Sequence, residues 1–454
     1  RRHRHGRTGR SKVDARDWIL ARSGRAKTML TIKFGDRHKT CDGVSRRSFL
    51  KIGALGIGSL TLADLLRAEA VSGVRASNKA IINIHLSGGP SHQDIFDLKP
   101  NAPAEFRGEF NPIRTNVPGL EICEHLPQLA KMADKFAVIR SLVGSNAGHS
   151  NFQTHTGFNT KSLTNVGGRP SIGSVIAKLH GSSPNGAPAF VSYNGGSPGY
   201  LGPVYSPFSP SEAMKVLRMN GNMTVDRLSD RTSLLTSLDT IRRDIDGSGQ
   251  LDALDSYTQR AYDMVTSGEV ANALDLKQED PAIVDRYGRP GQNVLYARRL
   301  IQAGVRVVTL NASWGGWDTH RNNFVTLKKN LTNMDQSLAA LLDDLQRFDM
   351  LDDVSVVVWG EFGRTPRVNK SAGRDHWPKL SMAWLAGGGM RTGQAIGTSS
   401  RYAEEAQDRP VDYQEVHATL YRNMGIDPAS TTITDPNGRP QYLLDFRDPI
   451  SELV

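Results

Sequence analysis

Six short apolar runs, each stopped by a loop of small or polar residues, constrain the fold of this chain more than any other feature. They are Lys79–Leu86, Phe136–Leu142, Ala189–Tyr193, Gly304–Asn311, Val354–Val358 and Leu380–Leu385. Rich in β-branched residues and too short for helices, they read as strands buried on both faces. Stretches with apolar residues at three- and four-residue spacing stand between and after them: Leu126–Asp134, Pro170–His180, Gln292–Ala303, Phe324–Phe348 and Tyr413–Met424. Alternating strands and helices predict an α/β fold, a largely parallel central sheet with helices on both faces. The same helical spacing in Arg227–Ile245 and Leu251–Thr266 adds a helical insertion or outer layer over about residues 211–301.

In such sheets, groups from the carboxyl ends of different strands converge in one crevice. The loop after the first run, Ser87–Asp97, supplies His92, Asp94 and Asp97. The second run leads into Val143–Gly157, with Ser145, His149, Ser150 and Asn151; several hydroxyls there suit a nucleophile or ligand, and spacing singles out none. After the fourth run, Asp318 and His320 stand two apart in an extended segment, so their side chains point the same way. That is a compact N/O pair for Zn, Mn or Fe. The fifth run opens into the charged stretch that ends at Pro378, carrying Glu361, Arg364, Arg374, Asp375 and His376. One or two divalent ions (Zn, Mn or Ca) held by Asp, Glu and His fit this set, with Arg364 free to pair with an anionic substrate oxygen. Residues Gly195–Phe208, rich in Gly, Pro, Ser and Tyr, have the composition of an ordered loop framing a cleft.

A net charge of +10 suggests nucleic acid until it is divided along the chain. Residues 1–28 hold ten Arg and Lys against two Asp, residues 29–70 seven against four acidic residues, and residues 71–454 hold 39 against 40. The body is neutral, which disfavours a nucleic-acid partner. Residues 29–70 contain Ser45-Arg46-Arg47-Ser48-Phe49-Leu50-Lys51, a modest apolar segment Ile52–Leu66, and Ala68-Glu69-Ala70. This is the order of a twin-arginine signal peptide, too short in its apolar part to span a membrane. The expected partner during export is the twin-arginine translocase, and the expected location periplasmic or extracellular, with no stable span in the mature chain. Met29 stands at a normal distance before the paired arginines, so residues 1–28 are expected to be an upstream extension without order. Of Cys41 and Cys123 only the second survives cleavage, which leaves no intrachain disulfide and makes Cys123 a small buried residue. Asp244–Asp255 carries oxygen ligands at EF-hand spacing with Asp at the twelfth place; a connector between helices and a calcium loop are both open.

The leader SRRSFLK, the segment IHLSGGPSHQDIFD, the pair in WDTH, GEFGRTP, GRDHWP and the late DYQEVHATLYRNMGID together resemble a large family of uncharacterised, twin-arginine-exported bacterial proteins. That family is grouped with the alkaline phosphatase, sulfatase and phosphoglycerate mutase superfamily. The resemblance covers nearly all of residues 29–454 and implies the superfamily fold and a metal-dependent hydrolase site. Asp318 and His320 resemble one ligand pair of the superfamily, Glu361 stands where an Asp-His pair would begin, and His376 resembles the final His. Phe362 replaces the second member of that pair, and Ser87 takes the place of the first Asp, with His92 and Asp94 the nearest substitutes. Ala147 falls at the nucleophile position; Ser145 and Ser150 flank it, and Ser145-x-x-Gly148-His149-x-Asn151 resembles the mutase nucleophile motif two residues out of step.

Two functions follow as expectations. The first is an exported metal-dependent hydrolase of phosphate or sulfate esters, on a small molecule or a polysaccharide. His92, Asp94, His149, Asp318, His320, Glu361, Asp375 and His376 are its metal-ligand candidates. Ser145, Ser150 or a metal-bound water would attack, and Asn151 and Arg364 would hold substrate oxygens. The second is a non-catalytic, metal-stabilised binding or cell-envelope protein that keeps the fold.

Overall fold

The structure, a computed structural model, describes residues 79–159, 161–183, 186–210 and 269–454. The upstream extension at 1–28, the signal peptide at 29–70, the EF-hand-like loop at 244–255 and most of the helical insertion lie outside the described residues.

The apolar runs become strands β1 (Ala80–His85), β2 (Phe136–Val143), β3 (Phe190–Ser192), β4 (Val307–Asn311), β5 (Val354–Trp359) and β6 (Ser381–Gly387). Two short additions, β7 (Gln394–Ile396) and β8 (Val411–Asp412), complete one eight-stranded sheet. Its order is β7-β2-β6-β5-β1-β4-β3, with β8 also pairing with β2. All pairings are parallel except those of β6, which runs antiparallel to both β5 and β2. Between β5 and β6 the chain forms no crossover helix, and a direct return of this kind reverses strand direction.

Helices α1 (Ile172–His180), α2 (Gln292–Gln302), α3 (Asn323–Arg347) and α4 (Tyr413–Asn423) cover the sheet. Strand alternation decides which side chain meets which helix. Ile82, Ile84, Val308, Val356 and Val358 share one core with Val294 and Leu300 of α2 and Leu327, Leu331, Met334 and Leu338 of α3. Ile81, Val307, Val357, Trp359 and Leu385 share the other with Ile172 and Ile176 of α1 and Val416 and Leu420 of α4. Each fully buried Val or Leu contributes about 1.5–3 kcal/mol of transfer free energy, so both faces are committed to the interior. Helix α2, at the end of the segment read as a helical insertion or outer layer, packs directly beside β4. Cys123 is buried, as expected, and free among the described residues. No helix among the described residues is long and apolar enough to cross a membrane.

Candidate functional site

Because β1, β2, β4 and β5 run parallel, their carboxyl ends share one edge, and the loops that leave them meet there. At the middle stands the Asp318 carboxylate, from the loop after β4. Its Oδ1 lies 3.1 Å from His320 Nε2, 3.3 Å from His376 Nε2 and 2.5 Å from Arg364 Nη2, and its Oδ2 lies 3.4 Å from His149 Nε2. His149, Asp318 and His376 each offer a ligand atom within 4.8 Å of the others. His320 Nε2 is also 3.1 Å from His376 Nε2.

The other nitrogen of each ring faces a pure acceptor. His149 Nδ1 meets Glu361 Oε1 at 2.9 Å, His320 Nδ1 meets Asp375 Oδ1 at 2.5 Å, and His376 Nδ1 meets the Ala147 carbonyl at 2.9 Å. Carboxylates and carbonyls accept only, so each Nδ1 is assigned the proton and each Nε2 a lone pair turned toward Asp318. Histidine ligands of metals are held in this way by outer carboxylates and carbonyls. At 3.1 Å the two facing Nε2 atoms share at most one proton, and the Asp318 oxygens are acceptors as well. A pocket of converging imidazole and carboxylate lone pairs fits a divalent cation, and its nitrogen-rich donor set suits Zn or Mn better than Ca, which takes oxygen ligands.

Local structure explains the convergence. A two-residue antiparallel ladder pairs Gly363–Arg364 with His376–Trp377, which sets Arg364 opposite His376. Arg364 is fully buried: Nε donates to Gly89 O and Nη1 to Arg374 O, both at 2.9 Å, while Nη2 reaches Gly88 O and Asp318 Oδ1. Gly88 holds φ at +112°, donates its N–H to Glu361 Oε1 at 2.8 Å, and would drive a Cβ to 2.4 Å from Asp318 N. Only glycine tolerates both the conformation and the approach. Phe362 lies beneath the cluster, its ring centroid 4.3 Å from that of His376 and 5.3 Å from that of His149. Where a ligating side chain was expected, the structure has a packed aromatic ring.

The charges are set by these contacts. Burial pushes the Asp318 carboxyl up, but the hydrogen bond and charge of Arg364 outweigh it and hold the group below the usual carboxylate range. The hydrogen bond from His320 does the same for Asp375. Asp318, His149 and His320 remain nearly half exposed, so the cluster is open to a ligand from solution, whereas Glu361 is buried.

Other candidates are placed differently. Asp94 receives Arg374 Nε and Nη2, both at 2.8 Å, together with Ser91 Oγ at 2.5 Å and Asn323 Nδ2 at 2.9 Å. Its oxygens are taken, and it works as the partner of a buried arginine in place of the ligand role expected of it. His92 is buried with Nε2 3.1 Å from Ala403 O, and burial lowers its pKa to about 4. Glu361 and Asp375 stand behind His149 and His320 as orienting partners. Arg364, expected to grip substrate, has its nitrogens occupied by carbonyls and Asp318. Ser145 Oγ donates to Pro378 O at 2.8 Å, Ser150 Oγ accepts from Phe152 N at 3.1 Å, and Asn151 Nδ2 donates to Asn194 O at 2.8 Å.

Sequence reasoning overlooked Gly88, the Ala147 carbonyl and His85. The last had a signal: Asn83 and His85 are alternate polar residues in the otherwise apolar β1.

The profile described as Protein of unknown function (DUF1501) matches residues 78–454. The chain belongs to that family. No curated protein matches it. Among solved structures, the crystal structure of Ps i-CgsB is similar at a TM-score of 0.35 and 11% identity, over 77% of this chain and 72% of that one. The crystal structure of PsFucS1 sulfatase from Pseudoalteromonas sp. is similar at a TM-score of 0.34 and 9% identity, over 80% of this chain and 70% of that one.

Proposed function

We propose that this member of the family is a divalent-metal-dependent hydrolase of phosphate or sulfate esters, that water is its nucleophile, and that it acts outside the cytoplasm after export by the twin-arginine route. The observation that carries the reading is the convergence of three Nε2 lone pairs on Asp318, each with its Nδ1 fixed from behind.

His149, Asp318 and His376 would hold the ion, with His320 at the rim. When bound, a divalent ion supplies a Lewis acid that polarises a phosphoryl or sulfuryl oxygen and acidifies a water. Glu361 and the Ala147 carbonyl keep the His149 and His376 lone pairs facing inward. Arg364 keeps Asp318 ionised and in place. His320 Nε2, at the exposed mouth, accepts the proton that the attacking water loses and returns it to the departing alcohol oxygen. An ester on a small molecule or at a polysaccharide surface can reach so open a site.

A second reading, a metal-stabilised binding protein without turnover, is favoured by one arrangement: the hydroxyls of Ser145 and Ser150 have partners within their own loops or at Pro378, and every nitrogen of the buried Arg364 already has a partner in the protein.

Metal analysis of the purified chain, with assays on aryl phosphate and aryl sulfate, separates the two. The wild type is expected to hold about one ion per chain and to turn over one of the esters. Asp318→Ala and His376→Ala are expected to lower metal affinity by more than about 100-fold, since outer partners alone are worth about 10–100-fold. Metal bound without turnover of either ester selects the second reading, and a wild type without metal ends both. Replacement of Arg46 and Arg47 by Lys is expected to leave the protein in the cytoplasmic fraction; unchanged export would remove the twin-arginine route.

A further inference from the structure

We propose that His85 is a positioning residue of this centre, acting through Glu361 on His149, so that a buried imidazole touching no ligand sets the affinity for the ion. The inference rests on the metal reading above and deepens it.

Glu361 commits one oxygen to the site: Oε1 accepts from Gly88 N at 2.8 Å and from His149 Nδ1 at 2.9 Å. Its Oε2 is buried, and among the described residues no hydrogen bond reaches it. The nitrogen facing it is His85 Nε2 at 3.4 Å, longer than a good N–H···O bond of about 2.7–3.2 Å. His85 and Glu361 are each only 3% exposed, so no bulk water competes for the gap. On its far side His85 Nδ1 meets Thr154 Oγ1 at 2.9 Å, and Thr154 Oγ1 also lies 3.0 Å from Asn151 O. A row His149–Glu361–His85–Thr154 therefore runs from the open cluster into the interior.

The single proton of the neutral His85 ring has one good place. The Thr154 hydroxyl has one proton and two acceptors in reach, Asn151 O and His85 Nδ1. Asn151 O already accepts from His155 N at 3.0 Å, whereas Oε2 of Glu361 has no other donor, so placing the hydroxyl proton on Nδ1 and the ring N–H on Nε2, facing Glu361, leaves the fewest groups unmet. An N–H facing Oε2 from 3.4 Å biases the tilt of a carboxylate whose other oxygen meets His149 Nδ1. Outer hydrogen bonds of this kind set both the orientation and the basicity of a ligating ring. The buried and otherwise unpaired Oε2 is what a merely space-filling histidine would not explain.

Two substitutions at this position separate positioning from packing. His85→Gln would place an amide nitrogen where Nε2 stands, whereas His85→Asn would place it near Nδ1, too short to reach Glu361. Cobalt(II) titration of the full chain, read by visible absorption, is expected to show His85→Asn binding about 10-fold or more weaker and His85→Gln within about 3-fold of wild type, with similar urea midpoints for all three. In a Glu361→Gln background, His85→Asn is expected to weaken cobalt binding no further. His85→Asn as tight as wild type, His85→Gln as weak as His85→Asn, or an undiminished loss in the Glu361→Gln background would overturn the proposal while cobalt binding by the wild type stands. A wild type that binds no cobalt removes the metal reading and this inference with it.

Discussion

Below pH 6.5 the folded domain is expected to lose stability at up to about 5 kcal/mol per pH unit, and to unfold near pH 5 with a chelator present. Burial lowers the pKa of His85 to about 3, of His92 to about 4, of His155 to about 4 and of His417 to about 3, from 6.5 for a free side chain. Between about 6.5 and 4 the unfolded chain therefore binds protons at these four positions that the folded chain refuses. Each contributes about 1.4 kcal/mol per pH unit, and the sign is fixed: the stabilisation is complete above 6.5 and drains away as pH falls toward the folded values. Four such groups together reach the size of a whole domain's stability, about 5–15 kcal/mol. Urea unfolding at about pH 7.5 and about pH 5.5 measures it, with the chelator removing any contribution from metal release. Equal midpoints at the two pH values would show that the four rings are charged in the fold or reachable by water.

Removing the Asp94 carboxylate is the mutation expected to cost most. Arg374 is fully buried and Asp94 almost so, and the two meet through Nε and Nη2. Asp94→Ala strands a guanidinium in the interior, which costs about 3–5 kcal/mol. Carbonyls of Thr365, Pro366 and Phe106 keep some of its N–H groups satisfied but supply no compensating charge. The companion exchange Asp94→Ala with Arg374→Met removes both charges and is expected to recover most of the loss. The folded fraction of Asp94→Ala should retain wild-type metal content. Loss of metal with a destabilisation below about 1 kcal/mol would return Asp94 to the ligand role that the sequence suggested.

The reasons for that misplacement are physical. Apolar runs announce strands, and parallel strands announce which loops share an edge, so His149, Asp318, His320 and His376 could be gathered from sequence alone. A residue type at a strand end does not reveal which atom faces the centre. Glu361 and Asp375 have ligand chemistry and stand one layer behind, because imidazoles come between them and Asp318. Asp94 is claimed by an arginine 280 residues away, a pairing no local pattern encodes. The reversed β6 escaped notice for a related reason: strand direction depends on how the preceding loop returns, and the loop reads as functional residues rather than as a turn. The short β7 and β8 lack the apolar periodicity that marked the longer strands.

The three groups best placed to hold an ion stand at positions 149, 318 and 376, on loops that only the finished sheet brings together. No short fragment or early hairpin brings these three residues together, so contacts of such long sequence separation form late and an ion at this cluster would join only a completed domain. A protein that crosses a membrane already folded carries the metal it met before crossing. Under the proposed export route and metal reading, the supply of ions in the cytoplasm, and not outside it, would decide which metal this centre holds.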